Sequence, residues 1–337
     1  MCVHFLFMLH KKAGKLILFV KLMLAGLLVW LLWYQLTDKE GAGALATSWH
    51  DAVTGNRMPW LAGCILLMPL NWLLEAVKWQ KLMSPHLRLS ILSAVKTVLS
   101  GITAGLVTPA RIGEYAGRLV TSDPDHRTEV VSATLLGSIS QNLCNIIIGL
   151  LFSTYFLRSV FDPGLGGTII YGTLVMAQAI LLVYLYYRLP QVAHRLEKLP
   201  GPEFKRKYSD RLKALDLYKP DLLHTVMALS VMRYLVYFVQ YVMIVRFLGS
   251  PAGFIESARC ISGIFLIQTG IPLPAFLSIF ARGELAILVW SAVGVNEVVA
   301  LAATFSIWVI NLILPGLAGL YFLLRADVEG NLFGKHK

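Results

Sequence analysis

The residues of this chain that could do chemistry are charged side chains set inside apolar sequence. Two short segments concentrate them. AGLVTPARIGEYAGRL, from Ala104 to Leu119, carries Arg111, Glu114 and Arg118; TGIPLPAFLSIFARGELAIL, from Thr269 to Leu288, carries Arg282 and Glu284. Each reads Gly-x-x-x-Pro-Ala and then, further on, Gly-Glu after an Arg. Hydrocarbon tolerates broken helix and ionisable side chains only where protein or a water-filled cavity satisfies them. Gly/Pro-interrupted segments at matching places in two halves of a chain point to a transporter's binding site.

In the first segment Pro109 stops the preceding helix and suits the first turn of the next. Gly101, Gly105 and Gly113 let backbones approach closely. Arg111 and Glu114 are three apart and share a helical face, and Arg118, four beyond Glu114, is placed to pair with it. One reading is a helix N-terminus plus a guanidinium fork aimed at a phosphate. The other is a structural ion pair at the interface, where Arg snorkels. Both stay open for Arg111 and Arg118, whereas Glu114 reads as orienting an Arg rather than as a base. If the second segment mirrors the first, Arg282 and Glu284 take the positions of Arg111 and Glu114. Arg259, just upstream, is a candidate for the same cavity.

Further polar groups lie in apolar runs: Glu75 and Lys78 in NWLLEAVKWQKL, Gln141, Asn142 and Asn145, Arg233 and Gln240 seven residues apart, and Asn311. Charges in a span are functional candidates by default, and amides are more often contacts between helices. Arg233 needs a counter-ion, with Glu75 and Glu284 as candidates.

The elements that must position these groups are membrane helices. The chain has 337 residues, 57% hydrophobic and 15% charged, with mean hydropathy +0.67, the composition of an all-α polytopic membrane protein. Six segments reach the roughly 20 apolar residues that crossing requires: about 16–36, 59–82, 129–157, 168–188, 221–248 and 298–324. The first is too long for a signal-peptide core and reads as an uncleaved helix. The two broken segments, near 97–118 and 260–293, read as re-entrant helix hairpins; ordinary kinked helices there would make eight spans. Residues 59–189 and 221–325 then each read helix, hairpin, helix in opposite senses, an inverted repeat within a single transmembrane domain. Segment 189–220 is a basic cytoplasmic linker suited to lie on anionic lipid.

The bulk numbers also exclude functions. The 30 Lys/Arg against 19 Asp/Glu, a net +11, reflects cytoplasmic loops rather than nucleic-acid binding. Cys2, Cys64, Cys144 and Cys260 make neither a disulfide framework nor a zinc spacing. Nucleophile elbow, Walker loop and paired carboxylates are all missing, so no enzyme activity, cofactor or metal is expected.

TAGLVTPARIGEYAGRL, with the upstream NWLLEAVKWQKL, resembles the transmembrane family that includes the lipid-handling half of lysylphosphatidylglycerol synthase. The resemblance runs from about 15 to 325. It implies a flippase-like domain moving lipids with charged or glycosylated headgroups between leaflets. It places Thr108, Pro109, Arg111, Gly113 and Glu114 in the first family motif, and Pro274, Gly283 and Glu284 in the second, where an extra stretch separates Pro274 from Arg282. The soluble aminoacyl-transferring domain of fused members is absent from this sequence, so the stand-alone form is not expected to transfer lysine.

The expectation is a translocase of a membrane phospholipid or lipid-linked substrate in the bacterial cytoplasmic membrane. The substrate-binding candidates are Glu75, Thr108, Pro109, Arg111, Gly113, Glu114, Arg118, Arg233, Arg259, Pro274, Arg282, Gly283 and Glu284. Two alternatives are a transporter of a small amphiphilic anion and a non-transporting scaffold for envelope lipid or glycolipid synthesis; a homo-oligomer or a partner envelope enzyme fits either. Lys/Arg asymmetry puts both termini and loop 189–220 in the cytoplasm. A single cysteine at position 205, in a background lacking the native four, should therefore label only from the cytoplasmic side. Labelling from outside alone contradicts this topology.

Overall fold

The computed structural model describes residues 47, 49–106, 108, 111–161, 164–197, 215–270 and 275–326. These residues are helical, with no strand among them. In chain order the helices are α1 (Met58–Met83), α2 (Ile91–Leu106), α3 (Gly113–Val120), α4 (Arg127–Phe161), α5 (Gly164–Glu197), α6 (Pro220–Phe247), α7 (Phe254–Gly270), α8 (Ala275–Ser291), α9 (Glu297–Trp308) and α10 (Leu314–Arg325). A π-turn, Val309–Ile313, joins α9 to α10 in one continuous run.

Five helical runs are long and apolar enough to cross a membrane: Met58–Met83, Pro124–Thr154, Gly164–Val192, Pro220–Phe247 and Glu297–Arg325. They match the expected spans from 59 onward, and the first expected span, 16–36, lies outside the described residues. Helix α5 continues to Glu197, so the linker is shorter than the sequence suggested; residues 198–214, its most basic part, lie outside the described residues.

Polarity is arranged from the inside out, as hydrocarbon demands. On α1 the buried residues include Asn71, Trp72, Glu75, Lys78, Trp79 and Leu82, one stripe at helical spacing. The opposite face carries Leu66, which is 77% exposed, and Leu73. Helix α5 is the peripheral element, with Leu165, Ile170, Leu174 and Ile180 exposed.

Helices α1 and α6 run antiparallel through the centre. Arg57, ahead of α1, donates from Nη1 to Phe247 O at 3.3 Å, and Gln240 Nε2 donates to Cys64 O at 2.9 Å. Beside this pair are two helical hairpins. In the first, α3 folds back along α2, and a Cβ on Gly117 would lie 2.4 Å from Ser100 O, so only glycine permits this backbone contact. In the second, α8 folds back along α7, with Cys260 Sγ 3.5 Å from Val289 O. The contacts Gly117–Ser100 and Cys260–Val289 centre on the two Pro-Ala sites. Pro109 and Pro274 themselves lie outside the described residues.

The hairpins pack crosswise between the halves. Thr103 on α2 donates to Gly316 O on α10 at 2.7 Å. Asn145 on α4 donates to Thr269 on α7 at 3.2 Å. Each hairpin's first arm thus rests on a long helix that follows the hairpin of the other half.

Candidate functional site

Glu75 is the centre of the site. It lies on the buried stripe of α1, 5% exposed. Its Oε1 is 3.1 Å from Arg118 Nη2 on α3. Its Oε2 is 2.7 Å from Lys78 Nζ one turn along and 3.0 Å from Arg233 Nη1 on α6. One carboxylate therefore ties the first hairpin to the antiparallel pair. Neighbouring polar groups complete the shell. Asn71 accepts from Arg233 Nε at 2.9 Å and donates to Asn311 Oδ1 at 3.1 Å and Gln240 Oε1 at 3.3 Å. Lys78 also donates to Gly137 O and to Gln141 Oε1, both at 3.4 Å. Trp79 lies under the Arg118 guanidinium at 4.5 Å and Trp72 under that of Arg233 at 4.8 Å, geometry that favours a cation.

Glu114 is the second carboxylate. Arg118 Nη2 approaches its Oε1 at 2.5 Å, and Arg111 Nη2 approaches its Oε2 at 3.1 Å. The two arginines differ in surroundings. The Arg118 side chain is 3% exposed and shared between two carboxylates, whereas that of Arg111 is 44% exposed. Arg118 is thus the structural ion pair. Arg111 is the more accessible cation.

The break that presents Arg111 is built by Thr108. Its hydroxyl accepts from Gly113 N at 2.7 Å, satisfying one of the free donors at the start of α3. Arg111 has φ 57°, a left-handed conformation that costs a non-glycine residue energy and recurs at ligand-binding sites. Helix α3 begins at Gly113, and Pro109, expected in a first turn, lies outside the described residues. Gly113 is required because a Cβ there would meet Ala104 O at 2.2 Å.

The second hairpin supplies Arg282. The expected equivalence with Arg111 fails locally: Arg111 sits in the break ahead of α3, while Arg282 lies inside α8, eight residues past Pro274. The stretch inserted between Pro274 and Arg282 forms helix and carries the arginine up the arm. Arg282 lines a cleft together with Tyr237, Tyr241, Phe265, Gln268 and Trp308. It is narrow, with room inside for about one water. Arg282 of the second hairpin and Tyr237 of α6 thus line one cleft.

Gly283 is buried, where a Cβ would meet Leu301 at 2.9 Å. The Glu284 side chain lies outside the described residues, so of the two candidates for Arg233 it is Glu75 that the structure pairs. Arg259 is not brought to the cleft. It lies nine residues before Gln268 on α7, about 13 Å along the axis.

Lys78, Arg111, Arg118 and Arg233 face only Glu75 and Glu114, and Arg282 adds a further cation. Among the described residues the site carries a positive surplus. Buried charge is retained where it is paired or where it meets a ligand. No group of His, Cys, Asp and Glu among the described residues could hold a metal.

The model of the lysylphosphatidylglycerol synthase TM region matches residues 18–319. The chain belongs to this family. No curated protein matches it. The chain is thus a multi-pass membrane protein of this family.

Asn71, Tyr237 and Trp308 join the site in the structure without having stood among the candidates. The signal for two of them was present. Asn71 is one turn before Glu75, and Tyr237 lies between Arg233 and Gln240 on the same face. Only the fold brings Trp308 to Arg282.

Removing one member of a buried ion pair leaves uncompensated charge, at about 3–5 kcal/mol. Glu75→Gln strands Lys78, Arg118 and Arg233 together. It should lower the apparent Tm in detergent by roughly 10 °C or prevent folding, whereas Arg111→Gln should change it by only a few degrees. A Glu75→Gln protein as stable as its parent contradicts this role.

Proposed function

We propose that the chain is a flippase-like protein that moves a phospholipid or lipid-linked headgroup between the leaflets of the bacterial cytoplasmic membrane, with both termini cytoplasmic. The observation that carries the reading is the unequal state of the site's cations. Arg118 and Lys78 are buried and paired, while Arg111 is exposed at a helix break.

That arrangement permits exchange of partners. Arg111 can leave Glu114 for a lipid phosphate, because Arg118 still holds the Glu114 carboxylate. A phosphate taken from water into a partly desolvated site needs a matched cation, and a planar guanidinium provides two parallel donors for it. Acyl chains remain in lipid throughout. Two hairpins packed crosswise around a central antiparallel pair suit alternating exposure of one site to either side, the scheme of inverted-repeat transporters. The family membership supports a lipid-handling role, and no aminoacyl transfer is assigned to this chain.

A charge-assisted hydrogen bond is worth about 1.5–3 kcal/mol, or roughly 10- to 100-fold in a rate that depends on it. Arg111→Ala should slow translocation of fluorescent phospholipid in proteoliposomes by at least tenfold. Arg111→Lys keeps the charge without the fork and should be intermediate. Both should fold, because Arg111 lies outside the buried core. Parental rates from well-folded Arg111→Ala remove the phosphate clamp and leave Arg111 as an interface anchor.

A further inference from the structure

We propose that one outer face of the α4–α5 pair is a contact between two copies of the chain, with Gln178 meeting Gln178 of the second copy near the middle of the membrane. The inference does not depend on what the protein transports.

The register of α5 against α4 defines the face. Helix α5 folds back along α4, and Ser153 on α4 shares a hydrogen bond of 2.9 Å with Tyr171 on α5. Asn142 is eleven residues before Ser153, three helical turns, and Gln178 is seven after Tyr171, two turns. Each amide therefore lies on the side of its helix that carries the bond. Because the helices run antiparallel, both amides lie in the same direction from it, about 16 Å and about 11 Å along the axes. Asn142 and Gln178 are thus neighbours in depth on one side of the pair.

That side faces lipid. The sequence has no charge between Glu129 and Arg158 and none between Asp162 and Arg188, and the two amides sit near the middles of these runs. Both side chains are exposed, and neither has a hydrogen-bond partner among the described residues. The amides of Asn71, Gln141, Asn145 and Gln240 are instead bonded to neighbouring helices. An amide unpaired in hydrocarbon is costly, and one that meets a second helix helps to hold it. The surrounding face is apolar and exposed, with Leu135 on α4 and Leu174, Leu181 and Leu185 on α5. Leu174, Gln178, Leu181 and Leu185 follow at intervals of four, three and four, the spacing of a seam between helices.

A second copy is the occupant these groups fit. Copies inserted in the same sense are related by a two-fold axis along the membrane normal, which sets each residue opposite its own equivalent at equal depth. A primary amide carries both donor and acceptor, so Gln178 is complementary to itself. Asn142 lies about one turn from that contact. The apolar segment 16–36 is a poorer match, because it holds no amide between Lys21 and Gln35.

The test uses the full chain in phospholipid vesicles, with subunits counted by single-molecule photobleaching and neighbours identified by disulfide cross-linking of single cysteines in a background lacking the native four. The parent should be dimeric. Leu174→Cys and Leu181→Cys should link into dimers on mild oxidation. Ile180→Cys should not, since Ile180 is exposed on the far side of α5 from Gln178. Replacing both amides, Gln178→Leu with Asn142→Leu, disturbs no packed contact and should weaken the dimer roughly fivefold or more. A monomeric parent, equal linking at Ile180→Cys, or a dimer indifferent to the double replacement overturns the proposal. A link between Leu174→Cys and Gly26→Cys within one chain gives the face to segment 16–36, and a link to a different protein gives it to that partner; either result also overturns it.

Discussion

The fold depends on one buried carboxylate and the three cations around it. Glu75 holds Lys78 from its own helix, Arg118 from the first hairpin and Arg233 from the facing helix. In an apolar interior none of these cations is tolerable alone. The pairing therefore fixes the depth of the hairpin and its register against α1 and α6 together. Asn71, Gln240 and Asn311 extend the tie to the π-turn between α9 and α10. That turn is irregular helix inside a span, of the kind that recurs at functional sites. Pro315, which lacks an N–H, follows immediately at the start of α10.

Around this polar centre the packing is made by small residues. Lipid offers helices no hydrophobic reason to associate, so close backbone contact and internal hydrogen bonds must hold them. Gly117 lets α3 lie on α2, and Gly319 does the same for α10 against Leu99. The hairpins can then bring their charged ends inward without exposing broken backbone to hydrocarbon. The charges thus fall into two states: Arg118 and Lys78 are buried against carboxylates, and Arg111 is exposed at the break ahead of α3.

Much of this was legible in the sequence because the signals are local. Spans 59–82, 129–157, 168–188, 221–248 and 298–324 follow from length and apolarity, and the family follows from the first motif. The pairings of Glu114 with Arg111 and Arg118 follow from helical spacing. Other features were not legible because they are set by three-dimensional approach. Arg111 and Arg282 look alike in sequence, yet one sits in a left-handed break and the other on a helix. Arg233 had two candidate counter-ions, and only the crossing of α1 with α6 selects Glu75. Arg259 looked like part of the same group, but the length of α7 carries it away.

Glu75 couples the two halves through Arg233. A double-mutant cycle on thermal unfolding of the purified protein tests this coupling most directly, with Glu75→Gln, Arg233→Gln and the pair. Residues in one ion-pair network show coupling of about 0.5–3 kcal/mol. A coupling at the upper end of that range is expected, with the double variant more stable than the sum of the single losses allows. Additive losses would contradict it, because Glu75 and Arg233 would then contribute to the fold independently.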